Sequence, residues 1–131
     1  MGKRKRTPKI TAYIFMSQCD WQMILDALDF YDTEIYEFDI PVPDHGVRSA
    51  VASAVSKLKN SPFPDEDNVV SPLTRTEIIA AYYAMQYIQT ELDAGDLELD
   101  YLPESLHDLT SFDSLKSRLA AHLSELGIVW I

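Results

Sequence analysis

A single cysteine, Cys19, stands in the 131 residues, so no disulfide can close within the chain and no thiolate cluster can bind a metal. Only four glycines are present. None lies in a Gly-rich phosphate loop or a Gly-x-Ser-x-Gly elbow. No run of 18 or more apolar residues offers a membrane span. The basic start of the chain is not followed by an apolar stretch, because Thr7, Pro8 and Lys9 interrupt it, which argues against a secretory leader. Together these absences predict a cytoplasmic protein held together by its core alone. At 47% hydrophobic content, such a chain can bury roughly two thirds of its unfolded surface in one domain.

Positive charge is the other scarcity. Lys3, Arg4, Lys5, Arg6 and Lys9 are five of the eleven basic residues, so six remain to face twenty-one acidic ones from Ile10 onward, a body charge of −15. The chain therefore divides into a basic tail, residues 1–9, and a single acidic globular domain, residues 10–131. Such a body repels nucleic acid and attracts basic surfaces.

The hydrophobic pattern predicts an α+β fold dominated by helices, about four of them, with a small sheet of short strands. Ile10 to Met16 reads as a buried strand, being rich in β-branched and aromatic residues. Ser17 and Asp20 form a capping box for a first helix with Trp21, Ile24, Leu25, Leu28 and Tyr31 inward. Thr33 to Ile40 alternates and reads as a strand, with Tyr36, Phe38 and Ile40 on one face, stopped by Pro41 and Pro43. Asp44 is placed to cap a second helix with the stripe Val47, Val51, Ala54, Val55 and Leu58. Asn60 to Pro72 reads as an exposed loop.

Thr74 and Glu77 are a capping box for the longest helix, which ends near Ala94 and Gly95. One face carries Ile78, Ala81, Tyr82, Met85, Ile88 and Leu92, a second Ile79, Tyr83 and Tyr87. Leu97 to Tyr101 alternates like a short extended segment, and Pro103 opens one helical turn. Thr110 and Asp113 are set to cap a last helix bearing Phe112, Leu115, Leu119, Leu123 and Leu126, which Gly127 would stop. The closing Ile128 to Ile131 is apolar enough to pair in the sheet.

Catalytic and metal chemistry find little here. His45, His107 and His122 show no i, i+4 pair of the zinc kind, and each reads as an ordinary histidine, His122 as a satisfied one at the core's edge. The acids from Asp93 to Glu104 fail as a calcium loop: counting from Asp96, Tyr101 stands where glycine is needed and His107 where a bidentate glutamate is needed. No serine or cysteine is set against an oriented base, and Cys19 reads as an idle thiol. No enzyme activity, metal or cofactor is expected.

The acidic series Asp26, Asp29, Asp32, Glu34, Glu37 and Asp39 is the candidate site. Regularly spaced carboxylates resemble in charge the backbone of a nucleic acid, and Tyr31 and Tyr36 are interleaved with them as candidate anchors. The expectation is a non-enzymatic module that binds a protein with a basic surface, an inhibitor that occupies the groove of a nucleic-acid-handling enzyme by mimicry. The alternative is an accessory subunit of a nucleoprotein or viral-type assembly. There Lys3, Arg4, Lys5, Arg6 and Lys9 would touch nucleic acid or an acidic surface, and Tyr83 and Tyr87 would make a protein contact or a homo-oligomer.

Overall fold

The computed structural model describes residues 14–43, 45–60, 63 and 69–125. Its elements in order are β1 (Phe15–Met16), α1 (Gln18–Phe38), α2 (His45–Asn60), β2 (Val69–Val70), α3 (Arg75–Ala94), 3-10 turns at Leu99–Tyr101 and Glu104–Leu106, and α4 (Leu109–Glu125). This is the expected helix-dominated α+β domain, with four helices and one two-stranded antiparallel sheet. The first three helices pack on one another, α4 lies on α3, and the second 3-10 turn sits against α1.

Helix α1 begins where the capping box places it. The Ser17 hydroxyl accepts from the Asp20 N–H at 3.1 Å and the Asp20 carboxylate accepts from the Ser17 N–H at 3.0 Å, satisfying two N–H groups at the helix start. Trp21, Met23, Ile24, Ala27, Leu28, Tyr31 and Ile35 are its buried residues, at the spacing of one helical face. Leu25 is only partly buried against this core.

The strand expected over Thr33 to Ile40 does not form, because α1 continues through Phe38. Ile35 carries the helical stripe of Leu28 and Tyr31 onward and is 2% exposed, whereas Tyr36 is 75% exposed. Extending an existing helix adds one hydrogen bond for each residue fixed, and here it buries an isoleucine as well. A strand would need a neighbour to pair with. The Thr33 hydroxyl donates to the Asp29 carbonyl at 3.1 Å, which suits a β-branched residue within a helix. Asp39 ends α1 in the left-handed region (φ 50°), its N–H donating to the Ile35 carbonyl at 3.1 Å. Ile40 then leads into Pro41, and a residue before proline is biased away from helix.

Helix α2 buries Val47, Val51, Ala54, Val55 and Leu58 as the pattern requires. Asp44, its expected cap, lies outside the described residues. Within the expected loop 60–72, Val69 and Val70 form β2, pairing Phe15 with Val70 and Met16 with Val69. The described part of the first expected strand is thus β1, and Ile10 to Tyr13 lie outside the described residues. Met16 is buried by this pairing while Phe15 faces out. The Ser71 N–H extends the ribbon to the Ile14 carbonyl at 2.7 Å.

The α3 capping box forms as expected: the Glu77 N–H donates to the Thr74 hydroxyl at 3.2 Å and the Thr74 N–H donates to the Glu77 carboxylate at 2.8 Å. Gly95 closes this helix in the left-handed region (φ 78°). The segment expected to be extended, Leu97 to Tyr101, instead winds into a 3-10 turn over Leu99–Tyr101. Among the described residues no strand pairs with it, and the Tyr101 and Leu102 N–H groups find the Glu98 and Leu99 carbonyls at 3.0 Å.

The start of α4 also differs from expectation. Asp108, not Thr110, provides the cap: its carboxylate accepts from the Ser111 N–H at 3.1 Å and from the Ser111 hydroxyl at 2.8 Å. Thr110 and Asp113 fall inside the helix. Phe112, Leu115, Leu119 and Leu123 are buried, while Leu126, Gly127 and Ile128 to Ile131 lie outside the described residues.

Candidate protein-binding surface

The six carboxylates of the candidate site belong to one element, five on α1 and Asp39 at its C-cap. At about 100° per residue, Asp26 and Glu37 point within about 20° of one another, Asp29 and Asp32 turn to one side, and Glu34 to the other. They form a band over the outward half of the helix and not a single line. From Asp26 to Asp39 the axis rises about 20 Å, one carboxylate per about 4 Å. That axial density is close to one nucleic-acid strand, about 3.4 Å per phosphate, and about half that of a duplex.

Four of the six have partners within the domain. The Asp26 carboxylate accepts from Gln22 Nε2 at 3.0 Å and from the Ser105 hydroxyl at 2.5 Å. Glu34 accepts from the Tyr87 hydroxyl at 2.9 Å. These donors are neutral and bring no opposing charge to either carboxylate. Asp29 meets Lys59 at 3.5 Å, and Asp39 meets Arg48 at 3.8 Å; such exposed pairs contribute little to stability. Asp32 is held above the usual aspartate range by partial burial and then by the neighbouring charge of Asp29, against the opposing pull of Lys59. A like charge a helical turn away disfavours ionisation of Asp32.

The aromatic candidates separate by environment. Tyr31 is 3% exposed, so it is a core residue and cannot anchor a partner; its position on the inward stripe of α1 dictates this. Tyr36 and Phe38 are exposed beside Glu37. Tyr83 and Tyr87 are half-buried against the core, and the Tyr31 and Tyr87 rings lie 5.4 Å apart. The Tyr87 phenol is pushed far above its usual value, by burial first and then by its hydrogen bond to Glu34 and the charges of Glu34 and Glu91. Tyr87 is therefore engaged with α1 through both its ring and its hydroxyl.

The remaining candidates fall elsewhere. His107 Nε2 donates to the Leu102 carbonyl at 2.9 Å and is a structural link. His122 Nε2 is buried with no hydrogen-bond partner among the described residues, which corrects the expectation that it is satisfied. The side chain of His45 and the basic residues Lys3, Arg4, Lys5, Arg6 and Lys9 lie outside the described residues. Cys19 is an exposed thiol. Among the described residues, no three His, Cys, Asp or Glu stand together as a metal site, and no helix is long and apolar enough to cross a membrane.

Sequence reasoning missed one centre, a buried ion pair. Glu77 is 3% exposed, and its carboxylate accepts from Lys57 Nζ and from the Ser53 hydroxyl, both at 2.6 Å. Burial opposes its ionisation, but hydrogen bonds from Lys57, Ser53 and the Thr74 N–H, with the Lys57 charge, prevail and hold it below the usual glutamate range. The capping box was the only signal of this residue. Lys57 and Ser53, two dozen residues earlier at most, become its partners only when α2 packs on α3.

The described residues hold seventeen acids and six bases, Arg48, Lys57, Lys59, Arg75, Lys116 and Arg118. Four bases pair with Asp39, Glu77, Asp29 and Asp20, and Lys116 lies over the Tyr82 ring, 5.8 Å from its centroid. Most carboxylates therefore stand without a basic partner. Fold and surface together define an acidic, helix-dominated α+β domain. Comparison with protein-family models, curated proteins and solved structures gives no match.

Proposed function

We propose that this chain is a non-enzymatic binding module whose acidic α1 surface engages a basic groove on a protein partner, competing there with a nucleic acid. The observation that supports this is the charge left on one element. Six carboxylates within about 20 Å of helix axis meet, among the described residues, only the basic groups of Lys59 and Arg48. Asp26 and Glu34 are positioned by neutral donors, which bring no positive charge against them. Tyr36 and Phe38, exposed among them, supply the apolar contact that a polar rim alone lacks. Rigid carriage matters here, because an ordered helix gives up little conformational entropy on binding.

The accessory-subunit reading has less support, since Tyr83 and Tyr87 pack within the domain. The test begins with proteins captured by the full chain at low salt. Each is then bound to a labelled DNA or RNA duplex and titrated with the chain. Displacement of the duplex by the native chain, and its loss when Asp26, Asp29, Asp32, Glu34, Glu37 and Asp39 are replaced by Asn or Gln, is the expected result. A variant that competes as well as the native chain would falsify the reading, provided its helical circular dichroism is unchanged.

A further inference from the structure

A second feature lies outside the band of α1 acids. Between the first turns of α1, the second 3-10 turn and the start of α4 runs a groove of about 310 Å³, lined by Cys19, Met23, Glu104, Ser105, Asp108 and Ser111, with Gln22 at its side. We propose that this groove seats a lysine or arginine side chain of the chain's own basic segment, Lys3 to Lys9.

Shape is the first argument. The walls are mostly apolar and the charged groups are Glu104 and Asp108, with no basic side chain among the described lining residues. A lysine or arginine has the matching build, an aliphatic stem that covers apolar surface and a cationic head that seeks carboxylates. The Asp108 carboxylate is held in place by the Ser111 N–H and hydroxyl.

Charge and tether supply the rest. No lysine or arginine occurs between Arg75 and Lys116, while five occur between residues 3 and 9, so the tail is the densest concentration of positive charge in the chain. Reach is sufficient. Cys19 is five residues from Ile14, at most about 17 Å away, and Arg6 is eight residues from Ile14 on the other side, a span of up to about 28 Å. One exposed ion pair binds weakly, but a short tether raises the local concentration to the millimolar range, where a weak contact is populated.

The test compares two full-length chains, the native one and one in which Lys3, Arg4, Lys5, Arg6 and Lys9 are all changed to Gln. Amide NMR shifts at about 50 mM salt should differ at Cys19, Met23, Ser105 and Ser111. The difference should fade at about 500 mM salt, where the Debye length is a few ångströms. It should also vanish when the comparison is repeated on Glu104→Gln with Asp108→Asn, where Asn retains the helix cap. Glu104→Gln alone repeats the comparison with the cap untouched. Differences that spare these four residues, that persist in the groove variants, or that grow with protein concentration would overturn the proposal, the last by assigning the tail to another copy. None of these outcomes bears on duplex competition by α1, so the two readings fail separately.

Discussion

At the residue scale, Glu77 joins a helix cap to an inter-helix ion pair. Replacing Lys57 by Met strands a buried carboxylate, and removal of one partner from a buried pair costs about 3 kcal/mol or more. Glu77→Gln costs less, because Lys57 is one third exposed and can turn to water. Urea denaturation of the two variants should rank them in that order. The pH dependence follows from the lowered Glu77 value. A carboxyl with a folded pKa below its unfolded one contributes stability that is complete above about pH 4.3 and is lost as pH falls through the folded value. The native chain should therefore lose stability below that point more steeply than Glu77→Gln. Tyr87→Phe removes the hydrogen bond to Glu34 and should cost about 1.5–3 kcal/mol, as for a bond to a charged group.

At the element scale, α1 and α3 end alike but with different residues. Both C-caps are left-handed, Asp39 at φ 50° and Gly95 at φ 78°. A side chain in that region pays a conformational cost that glycine avoids. Asp39→Gly should therefore stabilise by about 1 kcal/mol, offset only slightly by loss of the exposed contact with Arg48. Gly95→Ala should destabilise by about 1 kcal/mol. Space is not the reason, since a Cβ at Gly95 would meet nothing within 4 Å. Thermal melts of the two variants should shift in opposite directions. The continuous α1 is checked by hydrogen exchange: the amides of Ile35 to Phe38 should be protected as a helix end, with no dependence on a pairing strand.

At the scale of the whole molecule, the excess of acid opposes compactness. The body carries six bases against twenty-one acids, and self-repulsion of this kind is screened over about 10 Å at 0.1 M salt. Raising sodium chloride from about 10 mM to 300 mM should therefore raise the melting temperature. The exposed ion pairs lost to the same screening contribute little, so the opposite trend would mean that local pairing outweighs the overall repulsion. A partner with a basic surface should act in the same direction as salt, since it neutralises the same charges.

Much of this architecture was legible from residues alone, for local reasons. Ser17 with Asp20 and Thr74 with Glu77 mark helix starts because side chain and backbone satisfy each other within four residues. Gly95 marks an end because its backbone permits φ above zero. The apolar stripes of α2, α3 and α4 predict their buried faces by periodicity, and the uneven charge follows from composition. Tertiary packing decided the rest. Residues 33–38 have a pattern that suits a strand or a helix, and burial of Ile35 beside Leu28 and Tyr31 selected the helix. The same packing placed Tyr31 in the core, left Tyr36 outside, spread the α1 acids over half a cylinder, and brought Lys57 and Ser53 to Glu77. Such contacts span many residues of sequence, and no local spacing encodes them.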